Sequence, residues 1–214
     1  MLQAIVIGGG ATGAGILRDL ALRGVKAALV EQGDLVHGTS SRYHGLLHSG
    51  GRYAVKDPES ARECAVENEI VRRIAPFAVE PCGGLFVRLE QDDPSYAERW
   101  VAACREAGIP VEEVDLDRLR REEPLLAESV REAYAVPDAS VDGWRLVQGN
   151  VAAAEALGAR VLTYRKVVGL LMDGSRVTGV RLRNVATGEE ECLEAELVIN
   201  AAGAWAREIG LMAG

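Results

Sequence analysis

The sequence predicts an α/β fold with a Rossmann-type parallel sheet, and three neighbouring features near its start predict it. Residues 4–7 form a short apolar run that is typical of a buried parallel strand. Residues 8–13 follow with the spacing G-x-G-x-x-G and lead into residues 14–24, whose apolar positions recur at helical spacing. A second apolar run over residues 27–30 ends on Glu31, which completes a strand–turn–helix–strand–acid unit.

Each part of this unit has a physical role in holding a dinucleotide. Gly8 permits a tight turn, Gly10 lets the backbone approach a pyrophosphate, and Gly13 lets the helix pack closely on the strand. The helix N-terminus offers free N–H groups and a partial positive charge to the anion. The Glu31 carboxylate can accept hydrogen bonds from both ribose hydroxyls of an adenosine. The alternative is a glycine-rich turn packed for structural reasons alone. The predicted dinucleotide-binding residues here are Gly8, Gly10, Ala11, Thr12, Gly13 and Glu31.

Helices and short strands are predicted through the rest of the chain. A hydroxyl-rich loop over residues 32–42 is followed by a long amphipathic helix over residues 58–75, with Asp57 as its N-cap and Pro76 just beyond its end. Capping and breaking residues mark further helices over residues 96–107, 115–123 and 142–157, and strands over residues 85–89, 111–114, 161–163, 167–171, 176–183, 189–194 and 197–199. This layout places an insertion and a β-meander before a last strand that can rejoin the first sheet.

Small residues follow the last predicted strand. Ala201, Ala202 and Gly203 come directly after it, and small residues at the carboxyl end of a strand let a ligand approach the backbone. Two glycine-bearing strand ends, distant in sequence, are therefore expected to flank one cofactor. A nicotinamide dehydrogenase normally has a second βαβ half directly after the first, whereas this chain has a hydroxyl-rich loop and a meander. The layout therefore favours FAD over NAD.

Composition and charge narrow the possible classes of function. The 214 residues carry a formal net charge of −8 without a basic stripe, so we expect no nucleic-acid partner. No apolar run approaches the roughly 20 residues needed to span a bilayer. The N-terminus enters its first strand without a basic segment or a cleavage site. The sequence therefore predicts a cytoplasmic protein.

Cysteines and histidines do not predict a metal site. The cysteines, which form no C-x-x-C pair, are Cys64, Cys82, Cys104 and Cys192. Reduced thiols are therefore expected rather than a zinc or iron–sulfur site. His44 and His48 are four residues apart, which is a metal-ligand spacing, but no carboxylate or thiolate stands nearby at a suitable interval.

Five sequence blocks resemble a known family. They are IVIGGGATGAGI at residues 5–16, HGLLHSGGRYA at 44–54, ESAREC at 59–64, VDGWRL at 141–146 and VINAAGAW at 198–205. On these blocks the chain resembles the FAD-dependent glycerol-3-phosphate dehydrogenases of the D-amino-acid-oxidase-like superfamily. Within that family it is most similar to the large catalytic subunit of the bacterial anaerobic type. The glycine block is shared by many families, whereas the block at 44–54 is far more specific.

The resemblance implies a discontinuous domain organisation and further cofactor contacts. Residues 1–81 and 139–214 would form a D-amino-acid-oxidase-like FAD-binding domain, and residues 82–138 would form part of a substrate cap. The hydroxyl-rich loop would wrap the pyrophosphate and the flavin edge, and a backbone amide on the meander would hold the adenine. The further cofactor-binding residues predicted from the resemblance and from the last strand end are Thr39, Ser40, Ser41, Val168, Ala202 and Gly203.

The resemblance also implies a substrate site on the block at 44–54. Arg52 and Tyr53 match residues that line the substrate pocket, and a planar, permanent cation suits a phosphate or a developing oxyanion. The alternative for Arg52 is a surface ion pair. His48 can hydrogen-bond the flavin or hold a proton near neutral pH, and its alternative is a structural histidine. Gly50 and Gly51 would let the chain run close to the flavin.

The activity implied by the resemblance is oxidation of sn-glycerol 3-phosphate, a small-molecule phosphate ester, to dihydroxyacetone phosphate, with hydride passing to flavin N5. Electrons would then pass through partner subunits to quinone, which places the whole enzyme peripherally on the inner face of the cell membrane. Two alternatives stay open: an FAD enzyme acting on a 2-hydroxy acid of the L-2-hydroxyglutarate type, and a flavin-binding module without activity. Because family members are several hundred residues long, we expect an N-terminal fragment that is inactive alone.

Overall fold

The computed structural model describes all 214 residues, which form two compact units. Strands and helices follow the chain in the order β1 (Leu2–Ile7), α1 (Ala11–Leu22), β2 (Ala27–Val30), β3 (Leu46–Leu47), α2 (Pro58–Ile74), β4 (Val79–Glu80), β5 (Gly84–Leu89), α3 (Pro94–Glu106), β6 (Glu112–Glu113), α4 (Leu116–Glu122), β7 (Val130–Val136), β8 (Ala139–Val141), α5 (Gly143–Ala156), β9 (Arg160–Leu162), β10 (Arg165–Asp173), β11 (Arg176–Asn184), β12 (Glu190–Asn200) and α6 (Ala206–Gly210). Short 3₁₀ turns occupy Thr39–Ser41, Pro76–Ala78, Gly203–Trp205 and Leu211–Ala213. The first unit comprises Met1–His44 and Asp142–Gly214, and the second unit comprises Gly45–Val141.

A six-stranded sheet in the order β10-β11-β12-β1-β2-β9 organises the first unit. β1 pairs in parallel with β2 on one side and with the C-terminal half of β12 on the other, and β2 pairs in parallel with β9. β10, β11 and the N-terminal half of β12 form an antiparallel meander. The parallel strands and the crossover helix between β1 and β2 confirm the predicted α/β, Rossmann-type architecture.

Alternate residues of β1 face two different hydrophobic clusters. Ala4 packs with α1 and α5 through Leu17 and Val147. Ile5 packs on the other side with meander residues such as Val180. Because both faces of β1 are covered, the strand is a continuous apolar run rather than an alternating one.

β12 is one continuous strand where two were predicted, over residues 189–194 and 197–199. Glu194 still pairs with Gly179 of β11, and the next residue, Ala195, already pairs with Leu2 of β1. The meander half carries exposed glutamates such as Glu190, which pairs with arginines of β11. Pairing on both halves outweighs the low strand propensity of these charged residues.

The second unit contains two three-stranded sheets, in the orders β3-β8-β4 and β5-β7-β6. Its core includes Cys104, Ile109 and Val136 around the Trp100 ring. That ring stacks on Phe86 with the centroids 4.6 Å apart. This core therefore packs α3 against the sheet β5-β7-β6.

β7 and β8 have no counterpart among the predicted strands. β7 contains a glutamate and two alanines, which are weak strand formers, and its buried positions do not alternate. It is nevertheless the middle strand of its sheet because β5 and β6 pair with its two edges. β3, β4 and β8 have only two or three residues each, which is too short for a periodic pattern.

Aspartates cap four of the helices. Asp57, Asp93, Asp115 and Asp142 each accept hydrogen bonds from backbone N–H groups in the first turns of α2, α3, α4 and α5. The predicted N-cap at Asp57 is thereby confirmed. α1 differs, because its N-cap is Gly10 and its first turn contains no acidic residue.

The boundaries of the two units differ from the predicted functional division at residues 81/82 and 138/139. Residues 82–138 lie wholly inside the second unit, together with α2 and the block at 45–54. The assignment of residues 82–138 to a substrate cap stays a prediction.

Candidate cofactor and substrate site

The glycine turn of the first unit packs backbone against backbone. Gly8 has φ +114°, and a Cβ on it would overlap the backbone of Ala201, with the Cα of Ala202 only 3.2 Å away. A Cβ on Gly13 would overlap the carbonyl oxygen of Gly8. The structure therefore brings the glycine turn and the end of β12 together, and the predicted reasons for Gly8 and Gly13 agree with this packing.

The N-terminus of α1 faces the hydroxyl-rich loop rather than a carboxylate. The Ala11 N–H donates to Ser40 Oγ at 3.0 Å, and a Cβ on Gly10 would stand 2.9 Å from the same oxygen. In the same 3₁₀ turn, Ser41 Oγ donates to the Gly38 carbonyl at 3.0 Å. The helix end and the hydroxyl groups beside it fit a pyrophosphate, since they offer hydrogen-bond donors at the positive end of the helix dipole.

Glu31 is held in a fixed orientation by two backbone donors. Gly9 N–H donates to Oε2 at 2.7 Å, and Gly33 N–H donates to Oε1 at 2.8 Å. Each carboxylate oxygen keeps a further lone pair. The carboxylate can therefore accept from a ribose while the turn and the following loop hold it in place.

Val168 lies at an irregularity in β10. In the β10–β11 ladder Val167 pairs with Leu182 and Gly169 pairs with Arg181, so that Val168 is passed over. A bulge residue leaves its backbone groups outside the ladder. This agrees with the predicted use of its amide for an adenine, which stays a prediction.

The end of β12 is shaped by Asn200, which the sequence reasoning missed as a functional candidate. Its Oδ1 accepts from the Ala202 N–H at 3.2 Å, and its Nδ2 donates to the first carbonyl of α6 at 2.8 Å. Gly203 then adopts φ +54°. The Trp205 ring lies against Gly38, where a Cβ would be 3.1 Å from the ring. Trp205, just beyond the small residues, thus contacts the hydroxyl-rich loop of the same unit.

Arg52 and Tyr53 lie in the turn that precedes α2, in the second unit. Both side chains are exposed, and the Arg52 guanidinium forms no ion pair or hydrogen bond in the structure. The alternative for Arg52 was a surface ion pair, and the structure contains no acidic partner for it. An exposed guanidinium of this kind can bind a phosphate through two parallel hydrogen bonds.

Gly50 and Gly51 have packing reasons inside the second unit. Gly50 has φ +101°, and a Cβ on it would overlap the carbonyl oxygen of Ala61. A Cβ on Gly51 would be 3.1 Å from Phe86 and 3.2 Å from Trp100, whose Nε1 donates to the Gly51 carbonyl at 2.7 Å. These contacts explain both glycines without an approach to a flavin, and that approach stays a prediction.

His48 lies beside a buried carboxylate that the sequence reasoning did not single out. His48 Nδ1 is 3.9 Å from Asp138 Oδ2, and Asp138 Oδ1 accepts from the Ser49 N–H at 2.7 Å. The Ser49 hydroxyl is buried without a hydrogen-bond partner. No motif links these residues, because Asp138 is 89 positions from Ser49.

A second cluster of ionisable side chains in this unit, formed by Arg88, Glu132 and Tyr134, has a structural role. Arg88 pairs with Glu132 at 2.6 Å, and hydrogen bonds from Arg88 and from the Tyr134 hydroxyl hold the pKa of Glu132 below its usual range. Burial, followed by the hydrogen bond to Glu132, raises the pKa of Tyr134 to about 12. These shifts keep the charges fixed near neutral pH, so the group is not a candidate acid or base.

None of the helices combines the length and the apolar character required for a membrane crossing. No group of three or more His, Cys, Asp or Glu side chains is arranged to hold a metal ion.

Comparison with known proteins gives matches over nearly the whole chain. Residues 3–214 match the family model DAO, described as FAD dependent oxidoreductase. An anaerobic glycerol-3-phosphate dehydrogenase subunit from Escherichia coli K12 is 51% identical over 207 residues, which are 97% of this chain and 38% of that protein. An anaerobic glycerol-3-phosphate dehydrogenase subunit from Haloferax volcanii is 48% identical over 221 residues, which are 99% of this chain and 38% of that protein.

A solved structure agrees with these sequence matches. The glycerol-3-phosphate dehydrogenase of Bacillus halodurans, complexed with FAD, has a TM-score of 0.75 and 28% identity, and the match covers 100% of this chain and 36% of that one. The chain therefore spans about two fifths of the length of the relatives it matches. Together the matches confirm the predicted FAD-binding α/β fold.

Proposed function

The chain belongs to the DAO family of FAD-dependent oxidoreductases, and from that premise we propose that it serves the oxidation of sn-glycerol 3-phosphate to dihydroxyacetone phosphate. The observation that carries the proposal is the 51% identity, over 97% of the chain, to the Escherichia coli relative whose name states this substrate. Because the chain spans only 38% of that relative, the activity is proposed for the FAD-loaded enzyme and not for this segment alone.

The first unit supplies the residues that would hold FAD. The N-terminus of α1, from Gly10 to Gly13, and the turn Thr39–Ser41 would bind the pyrophosphate. Glu31 would accept from the adenosine ribose, and the amide of Val168 would hold the adenine. Gly8 packs against the backbone of Ala201 and Ala202, and Gly203, around which a Cβ would meet no atom within 4 Å, would leave room for the cofactor at the end of β12.

The second unit supplies the residues that would act on the substrate. When bound, FAD supplies the hydride acceptor at flavin N5. Arg52 would bind the phosphate, since its guanidinium is exposed and has no internal partner. Tyr53 would orient the substrate through its hydroxyl, and His48 would take the proton of the C2 hydroxyl as hydride leaves C2. Residues 82–138 would contribute part of the substrate cap.

Further subunits and a membrane location complete the proposal. The names of the Escherichia coli and Haloferax relatives describe them as subunits, which supports an assembly of several chains. We expect the electrons to leave through partner electron-transfer subunits to quinone, with the enzyme bound peripherally to the inner, cytoplasmic face of the membrane. Co-sedimentation of the assembled enzyme with membrane vesicles, and its release by high salt, would test this location.

Substrate screening of the FAD-loaded enzyme with a dye acceptor tests the function. We expect turnover with sn-glycerol 3-phosphate and none with glycerol, because glycerol lacks the phosphate group that Arg52 would bind. Turnover with L-2-hydroxyglutarate and not with glycerol 3-phosphate would replace the proposal by a 2-hydroxy-acid dehydrogenase. Stoichiometric FAD without turnover on either substrate would indicate a flavin-binding module.

A further inference from the structure

The hydroxyl-rich loop of the first unit follows a course that the structure around it imposes. Within the loop, Val36 is buried and adopts φ +65°, a left-handed conformation that a β-branched residue rarely adopts. The Val36 N–H donates to the Gly9 carbonyl at 3.0 Å. Such backbone strain persists only where the surrounding contacts determine the conformation. The glycine turn and the core therefore fix the path of the chain just before the 3₁₀ turn Thr39–Ser41.

An aromatic side chain contacts a glycine on each side of this 3₁₀ turn. On one side, the Trp205 ring lies 3.1 Å from the place where a Cβ on Gly38 would stand. On the other side, the Tyr43 hydroxyl accepts from the Gly143 N–H at 2.5 Å. A Cβ on Gly143 would be 3.0 Å from two carbons of the tyrosine ring. Both rings therefore lie where only a glycine leaves enough space.

The hydrogen bond at Gly143 is not the cap of α5. Asp142 Oδ1 already accepts from the N–H groups of Trp144 and Arg145, each at 3.0 Å, so an aspartate caps this helix. The Gly143 N–H is the first of the helix and needs no intrahelical partner. Its bond to Tyr43 therefore serves to fix the chain at the end of the hydroxyl-rich loop.

The turn between the two aromatic contacts is held together internally, and Ser40 lies at its middle. The N–H and the hydroxyl of Ser41 both donate to the Gly38 carbonyl, at 3.3 Å and 3.0 Å. Ser40 Oγ accepts from the Ala11 N–H at 3.0 Å. A hydroxyl that accepts one hydrogen bond can still donate its own proton. The position of this hydroxyl at the N-terminus of α1 therefore depends on how both ends of the turn are fixed.

We propose that Tyr43 and Trp205 are positioning residues for FAD, which hold the turn so that Ser40 accepts from Ala11 and donates to a pyrophosphate oxygen. This inference rests on the proposed function, which assigns the pyrophosphate to α1 and to this turn. The two rings act through Ser40 and do not have to touch the cofactor. Because the hydroxyl is in place before FAD binds, less conformational entropy is lost on binding. Loss of either aromatic contact therefore weakens FAD binding.

A double-mutant cycle on the FAD affinity of the whole enzyme tests the proposal. Tyr43→Phe keeps the ring and removes the oxygen that accepts from Gly143. We expect it to raise the Kd for FAD by about two- to tenfold, the range for one hydrogen bond, mainly through faster release of FAD after dilution. Ser40→Ala should raise the Kd as well. Together, the two changes should raise it by less than the product of their separate effects, because Tyr43 acts through Ser40.

Thermal unfolding separates this positioning role from a purely structural one. In Tyr43→Phe, the increase in Tm that FAD produces should be smaller than in wild type, while the Tm of the FAD-free enzyme changes little. A structural residue would lower both Tm values equally and leave the Kd unchanged, which would contradict the proposal. Tyr96→Phe is the matched control, since it makes the same change at an exposed tyrosine of α3 in the second unit and should leave the Kd unchanged.

Trp205→Leu tests the other aromatic contact and should also raise the Kd for FAD. Trp205→Phe replaces it if the leucine variant loses its cooperative unfolding. If Ser40→Ala weakens FAD binding but the Tyr43 and Trp205 variants have the wild-type Kd, or if the effects of Tyr43→Phe and Ser40→Ala multiply, the positioning role is wrong and the proposed function stands. A wild-type Kd in Ser40→Ala would also remove the assignment of the pyrophosphate to this turn.

Discussion

The candidate site of the first unit is formed mainly by backbone groups, whereas that of the second unit is formed by side chains. In the first unit the contacts are made mainly by backbone: amides of Gly9 and Gly33 hold Glu31, and the amide of Ala11 meets Ser40. In the second unit buried side chains gather around His48 from distant positions. A backbone site needs glycines at fixed spacing and so leaves a motif in the sequence, whereas a side-chain cluster leaves none. Substitutions can separate these two kinds of site.

Gly10→Val is expected to abolish FAD binding. The new side chain would meet Ser40 Oγ, since even a Cβ would be 2.9 Å from it, and would fill the approach to the α1 N-terminus. FAD content of the purified protein and its circular dichroism measure the cofactor and the fold separately. Gly15→Val is the matched control, because a Cβ there would meet nothing within 4 Å outside its own helix, and FAD should be retained. A folded Gly10→Val protein with stoichiometric FAD would show that the turn does not bind the pyrophosphate.

Arg52→Ala is expected to impair the substrate step of the second unit while the fold stays intact. In the whole, FAD-loaded enzyme, kcat/KM for glycerol 3-phosphate should fall by about 10²-fold or more, on the order of 3 kcal/mol for one transition-state donor. FAD content and Tm should stay near the wild-type values, because the side chain is exposed and unpaired. Arg73→Ala, an exposed arginine of α2 in the same unit, should leave kcat/KM unchanged. Normal kinetics with a large drop in Tm would identify Arg52 as a structural residue.

Glu31→Gln is expected to weaken FAD binding by about 1–3 kcal/mol, the range for losing a charged hydrogen-bond partner. The amide has one acceptor oxygen, whereas the carboxylate accepts from both Gly9 and Gly33 and would also accept from the ribose. Titration calorimetry with FAD measures the Kd. Asp34→Asn, a nearby exposed acid, should leave the Kd unchanged. An unchanged Kd in Glu31→Gln would remove Glu31 as the ribose ligand.

The core of the second unit should lose stability at alkaline pH through Cys104. Burial raises the pKa of this thiol from 9.0 to about 11, so the folded state favours the neutral form. Its contribution is fully present below pH 9 and declines as the pH rises toward 11, since the unfolded thiol ionises first. The loss is on the order of 2 kcal/mol. Urea unfolding below pH 9 and near pH 11 should show a smaller pH dependence in Cys104→Ala than in wild type. Cys192→Ala, at an exposed site, should behave as wild type, and equal pH dependence in all three proteins would contradict this assignment.

The sequence predicts the first unit better than the second for physical reasons. The apolar run of β1, the glycine turn and the acid after β2 act through local geometry, so their positions follow directly from the order of residues. Local capping likewise places α2 from Asp57. The carboxylate beside His48 could not be found in this way, because Asp138 reaches it through long-range packing. β7 was missed for the same reason, since partner strands rather than its own residue pattern place it.

The most direct test of this division between the units is anaerobic reduction of the bound flavin by glycerol 3-phosphate, followed in a single turnover. Wild type, Glu31→Gln and Arg52→Ala are compared at FAD concentrations that saturate each protein. The account predicts that Glu31→Gln reduces its flavin at the wild-type rate and that Arg52→Ala has an apparent second-order rate constant about 10²-fold lower. Equal slowing in both variants, or loss of FAD from Arg52→Ala with a normal rate in the remainder, would contradict it.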